Sequence, residues 1–169
     1  MIRVMTLFVC GIALCAASLA QQSAPKPINR WEALQFLLGD WVGDGSGTPG
    51  DAAGAYSFHE ELNGQILVRR SFADYTAQGG GRHEDLLIVY AATPAEPLHA
   101  MYFDSEGHVI LYNVATKPNA AVFESDTSQP GPRYRLSYTR IGNALNGKFE
   151  VAPLGGDFKA YLTWSSVRR

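Results

Sequence analysis

The stretch FLLGDWVGDGSGTPG, Phe36 to Gly50, decides the fold: an apolar run, one tryptophan, then glycine at every second position (Gly43, Gly45, Gly47). Spaced glycines invite a phosphate-cradling loop. Such a loop must lead straight into a helix whose N-terminal amides face the anion, and a P-loop adds Gly-Lys-Ser/Thr. Here the helical signal precedes the glycines, and Thr48-Pro49-Gly50 leads towards a strand. The better physical reading is a first barrel strand, bent where side chains are missing so that it passes beneath the Trp41 indole.

Upstream, Asn29 is a candidate N-cap and Glu32, three residues on, completes a capping box. Trp31, Leu34 and Leu38 fall near one helical face before Gly39 ends it. A helix this short cannot stand alone, so it must pack on something larger. Downstream everything reads as strands and turns. Runs rich in β-branched and aromatic residues cover 40–46, 55–62, 65–75, 84–91, 98–104, 108–115, 120–125, 133–141, 148–152 and 158–165. Turn residues punctuate them at Asn63-Gly64, Asp104-Ser105-Glu106-Gly107, Gln129-Pro130-Gly131-Pro132 and Asn146-Gly147. Ten short strands with short connections predict an all-β fold, an antiparallel up-and-down closed barrel with one short N-terminal helix, because closure removes exposed edges. In 133–139 the residues Tyr134, Leu136 and Tyr138 share the candidate interior face, opposite Arg133, Arg135, Ser137 and Thr139. In LLIVY (86–90) and HVILY (108–112) both faces are apolar, so inward and outward stay unassigned.

Residues 1–20 carry Arg3, an apolar run from Val4 to Ala17 and then Ser18-Leu19-Ala20, the layout of a secretory signal peptide cut near Ala20. The run is shorter than the roughly 20 residues a bilayer span needs, which disfavours a membrane anchor. Leu14 before Cys15 disfavours a lipoprotein start. The expected organisation is therefore a signal peptide over 1–20, a flexible lead over 21–28 and one barrel domain over 29–169, periplasmic or secreted. Both cysteines, Cys10 and Cys15, fall in the leader, so the exported barrel must rest on its core rather than on disulfides. With 14 basic against 16 acidic residues and no basic cluster, nucleic acid is not the expected partner.

Chemistry-bearing residues are few. His59-Glu60-Glu61 and His83-Glu84-Asp85 set carboxylates beside an imidazole, which would make a metal site if the two strands met there. Neighbours on a strand point to opposite faces, so each cluster reads better as a solvated strand end. His99 and His108 flank the turn at 104–107, where cross-strand packing explains them. No Gly-x-Ser-x-Gly elbow accompanies the serines. Alternation sends one of Arg69 and Arg70 into the barrel, where it needs either a carboxylate such as Glu84 or Asp85 or the head group of an acidic ligand.

Gly39-Asp40-Trp41 after a short helix resembles the calycin barrels, which include lipocalins and fatty-acid-binding proteins. The fuller pattern Leu38-Gly39-x-Trp41-x-Gly43-x-Gly45-x-Gly47, followed by Glu60-Glu61-Leu62, is similar to nitrobindin-type haem-binding barrels and to lipocalin-like domains of secreted bacterial proteins. The resemblance implies structural roles for Gly39 and Trp41, with a late arginine, Arg168 or Arg169, stacked over the indole. It also implies a haem site. Nitrobindin-type barrels hold the iron through a histidine in the last strand just before a leucine, and the matching positions here are Ala160 and Tyr161 before Leu162. Tyrosinate can ligate ferric haem, so a haem reading, acting on nitrogen oxides or peroxide, runs through Tyr161.

The leading expectation is an exported container for a small apolar or amphipathic molecule rather than an enzyme. Met101, Tyr134, Tyr138 and Tyr161 are the expected lining, with Arg69 or Arg70 for a head group. No catalytic set, metal or cofactor is expected, haem being the alternative, and pairing into a homodimer is left open. A third possibility, a cofactor-free enzyme working from His83-Glu84-Asp85, requires that cluster to border an open pocket.

Overall fold

The computed structural model describes residues 29–43, 53–75, 80–128 and 131–169. The expected signal peptide and lead, and Gly45 and Gly47 of the glycine series, lie outside the described residues.

Ten strands follow one short helix: β1 Gly39–Gly43, β2 Ala53–Glu61, β3 Ile66–Asp74, β4 Arg82–Tyr90, β5 Leu98–Asp104, β6 Val109–Lys117, β7 Ala120–Ser125, β8 Arg133–Ile141, β9 Ala144–Ala152 and β10 Lys159–Arg168. Each pairs antiparallel with the next in sequence. β10 returns to β1 through Trp41↔Arg168, Val42↔Val167 and Gly43↔Ser166, which closes the barrel as expected.

The helix differs from expectation in kind. It is a 3-10 helix, Glu32–Leu37, with hydrogen bonds from Leu34 N–H to the Trp31 carbonyl (2.8 Å) and from Leu38 N–H to that of Gln35 (3.3 Å). Three residues per turn puts Trp31, Leu34 and Leu37 on one face, and these three are fully buried where the α-helical reading had chosen Leu38. The capping box does not form. The Asn29 side chain instead accepts from Trp31 N–H (3.0 Å). Two indoles tie the helix down: Trp31 Nε1 donates to the Gly64 carbonyl (2.9 Å) and Trp41 Nε1 to that of Leu37 (2.8 Å).

This helix plugs one end of the barrel. Beneath it Trp41, Phe58, Leu67, Leu87, Val89, Phe123, Tyr138 and Leu145 form a closed core with Trp31, Leu34 and Leu37. The two strands whose faces looked equivalent now have a direction: Leu87 and Val89 of β4, and Ile110 and Tyr112 of β6, point inward. Gly39 takes φ +112, open to glycine, and a Cβ there would stand 3.4 Å from the Arg168 guanidinium. That guanidinium lies over the Trp41 ring, 4.9 Å from its centroid.

Asn146-Gly147 is not a turn. β8 and β9 are joined at Gly142 and Asn143, and Gly147 sits inside β9 opposite Trp164. A Cβ on Gly147 would fall 2.0 Å from Trp164 Cε2, so the glycine is there to admit the indole.

Candidate functional site

Above the plugged core the barrel is hollow. A cavity of about 630 Å³ occupies the half of the lumen far from the helix, lined by Tyr56, Tyr102, Tyr112, Tyr134, Leu136, Phe149, Leu162 and Trp164. Polar and charged groups join them towards the mouth: Arg69, His83, Asp85, Asp104, Glu106 and His108. The wall is aromatic because alternation on β8, β9 and β10 turns these side chains inward while Arg135, Glu150 and Ser165 face out. Tyr134 and Phe149 stack with planes 6° apart, and Tyr138 meets Phe58, Phe123 and Trp164 edge-on.

The floor is an ion pair. Arg69 points inward, as alternation required of one arginine, with its side chain 6% exposed, and its Nη2 donates to Asp85, itself 7% exposed. Its Nη1 donates to the Tyr138 hydroxyl. Of the two partners the sequence offered, Asp85 is the one that faces in; Glu84 turns outward to Arg82 (2.9 Å). Burial, the largest influence, would lower the Arg69 pKa, but the Asp85 charge together with the Tyr138 contact and the hydrogen bonds to both outweighs it and the net shift is upward, so the guanidinium is permanently charged. Arg69 Nε is the one buried side-chain polar atom without a hydrogen bond among the described residues. Burial likewise pushes the phenols of Tyr138, Tyr112, Tyr102 and Tyr56 upward, so all four are neutral hydroxyls at physiological pH. Tyr56 donates to Ser166 Oγ (3.0 Å).

At the mouth, His83 of β4 meets the end of β5 and the turn after it. Its Nδ1 lies 3.1 Å from Glu106 Oε1, and its Nε2 lies 3.1 Å from the Tyr102 hydroxyl and 3.8 Å from Asp85 Oδ2. Tyr102 in turn lies 3.2 Å from Asp104 Oδ2, and His108 Nδ1 lies 2.8 Å from that same oxygen. Asp104 Oδ1 accepts the backbone N–H groups of Glu106 (3.0 Å) and His108 (2.9 Å). Burial opposes the Asp104 charge, but these hydrogen bonds and the His108 contact outweigh it and hold the carboxyl below its ordinary value.

The expected site residues divide cleanly. Arg69, Tyr134 and Tyr161 line the cavity; Tyr138 does not, lying beneath Arg69 in the closed core, where its hydroxyl accepts from the guanidinium. Arg70 does not: it points outward to Glu61 (3.2 Å), with 65% of its side chain exposed. Met101 does not either. Ala100 and Tyr102 take the inward positions of β5, which leaves Met101 on the outer wall between Ile88 and Leu111. Tyr161 sits on a β-bulge, where the pairing with β9 skips from Ala160 to Leu162. The extra residue swings its ring to the rim, 69% exposed and edge-on to Phe149 at 6.2 Å.

The histidine clusters do not join as the sequence allowed. His59 lies at the helix end of β2, 3.2 Å from Asp40, while His83 lies at the mouth. Nor do His99 and His108 face each other; His99 pairs with Asn113 and packs on Tyr90 at 6.0 Å. The cluster that does form, His83 with Tyr102, Asp104, Glu106 and His108, draws on two segments about 20 residues apart. Its only sequence signal was that both segments carry a histidine among carboxylates and that adjacent strands must pair.

No family model matches the chain, and no curated protein does. Among solved structures, the crystal structure of Rv2717c from M. tuberculosis is similar, with a TM-score of 0.60 and 15% sequence identity over 83% of this chain and 97% of that one. At that identity the likeness speaks to the fold alone: a closed antiparallel ten-stranded barrel.

Proposed function

We propose that this barrel is an exported container that binds a small, largely apolar or amphipathic molecule in its lumen. One observation carries the reading: an aromatic-walled cavity of about 630 Å³ with its polar groups gathered at the floor and mouth. Because Asp85 already neutralises Arg69, the site offers a bound molecule hydrogen bonds from phenols and imidazoles rather than a free positive charge. This argues against a head group recognised by its negative charge. Native mass spectrometry of protein taken from its own periplasm should show a retained small molecule. An environment-sensitive apolar dye should also bind saturably, and Leu162→Trp, which fills the cavity, should weaken it at least tenfold. Absence of both a retained molecule and saturable dye binding would end the proposal.

Tyr161 favours a second reading. It lines the cavity at the position where nitrobindin-type barrels carry their histidine, and a rim phenol is a fitting donor for ferric haem. Hemin titration decides it: a Soret band lost in Tyr161→Phe supports haem, and no band, or one that Tyr161→Phe leaves unchanged, removes it. Pairing of two barrels would use the outer apolar ribbon of Ile88, Met101 and Leu111. Sedimentation equilibrium of Met101→Lys against the parent chain tests that.

A further inference from the structure

We propose that the cavity mouth is a binding site for one divalent first-row transition metal ion, held by His83, Asp104 and Glu106 with His108 beside them. One ligand atom from each of His83, Asp104 and Glu106 can be chosen so that all three lie within 4.8 Å of one another. Tetrahedral ligands about 2.1 Å from a common ion stand roughly 3.4 Å apart, so the set closes with about 1.4 Å of movement or less. Glu106, 62% exposed in its turn, is free to supply it.

Charge points the same way. Three carboxylates, Asp85, Asp104 and Glu106, line this end of the cavity against a single permanent cation, Arg69, which Asp85 already engages. Among the described residues lining the cavity no other arginine or lysine answers Asp104 and Glu106. The proton inventory is also short. Both the Asp104 carboxylate and His83 Nε2 stand within reach of the Tyr102 hydroxyl, which has one proton to give. If it serves Asp104, His83 donates from Nε2 and its Nδ1 faces a carboxylate oxygen 3.1 Å away, an arrangement that either a second proton on the imidazole or a shared cation satisfies. If it serves His83, Nδ1–H bonds Glu106 and no ion is required. Metal titration separates the two.

The ligand types select the ion. Imidazole with carboxylates suits zinc, manganese, iron or nickel, whereas magnesium and calcium take oxygen alone. The supports that such sites use are already in place. The far nitrogen of His83 meets the Tyr102 hydroxyl at 3.1 Å, and two backbone amides hold the other oxygen of Asp104. Since these residues border the cavity, an ion held by three of them keeps a coordination position facing whatever occupies the lumen.

The test uses the whole protein stripped with EDTA, titrated with zinc by calorimetry and with cobalt by visible absorption. Saturable uptake of one ion is expected, weakened at least tenfold in His83→Ala and in Glu106→Gln and unchanged in His59→Ala, whose histidine lies at the other end of the barrel. Glu106→Gln alters an exposed turn and keeps the question answerable should His83→Ala disturb the fold. Failure of both ions to bind saturably, or binding that survives both substitutions, overturns the proposal and leaves a proton between His83 and Glu106.

Discussion

Gly147→Ala is the substitution whose sign tests whether this strand glycine is there to admit the Trp164 indole. A strand glycine with space beside it would tolerate alanine. Gly147 is not among the positive-φ residues, and at such a position the change stabilises by about 0.4–1 kcal/mol through the unfolded chain. In the barrel the new methyl would stand 2.0 Å from Trp164 Cε2, 2.1 Å from Cζ2 and 2.6 Å from Nε1. Carbon atoms in contact rest near 3.5–4.0 Å, so the indole must retreat by roughly 1.5–2 Å. It cannot do so freely, since its inner edge meets Tyr138 at 5.9 Å between ring centroids. Overpacking of this kind costs about 1–3 kcal/mol, a fall in Tm of roughly 3–10 °C for a domain of this size. Urea unfolding followed by circular dichroism measures it without relying on the displaced tryptophan. The double variant Gly147→Ala/Trp164→Leu, which removes the obstruction, should show a favourable coupling of the order of 1 kcal/mol. A single variant as stable as the parent, or a double variant with purely additive losses, would refute the packing argument.

Other perturbations probe the remaining contacts. Arg69→Leu strands Asp85 in the barrel floor and should cost about 3–5 kcal/mol in chemical unfolding, whereas Arg69→Leu/Asp85→Leu should recover much of it; a double loss equal to the sum of the two single losses would mean the pair is not coupled. Arg168→Ala removes the cation over Trp41 and should cost about 0.5–1 kcal/mol, with Arg168→Lys retaining only part of the contact. Glu150 accepts from Arg135 (2.8 Å) and from Lys148 (3.0 Å). The Arg135 hydrogen bond is the largest influence holding its carboxyl below the ordinary value of 4.5. A depressed folded pKa contributes stability that is full above the unfolded value and lost as pH falls through the folded one. Glu150→Gln should therefore destabilise by about 1–3 kcal/mol at pH 7 and by progressively less below pH 4.5, and a penalty independent of pH would contradict the assignment.

Much of the fold was legible because a strand announces itself locally. Residue type and turn chemistry located all ten strands, and period-two alternation placed Tyr134, Leu136 and Tyr138 inside and one of two adjacent arginines with them. The helix was legible in position but not in kind, because Trp31, Leu34 and the leucines at 37 and 38 suit either a three- or a four-residue repeat. Only the indole N–H of Trp41, drawn to the Leu37 carbonyl, shows which turn of chain faces the core. Met101 was misplaced because β5 has apolar or aromatic residues on both faces, so the pattern carries no direction until its neighbours pair with it.

What the sequence determined by itself is therefore the all-β chain, its strand count and the Gly39-Asp40-Trp41 corner, since each depends on neighbours a few residues apart. What tertiary structure alone decided is register. Pairing Asp85 with Asp104 across β4 and β5 brings His83 to the Asp104–Glu106 turn, and a slip of one residue would send the inner set to the outer wall. Whether the lumen is filled or hollow belongs to the same class. It depends on how the inward side chains of ten strands meet across the barrel, a sum over long-range contacts that no local pattern encodes.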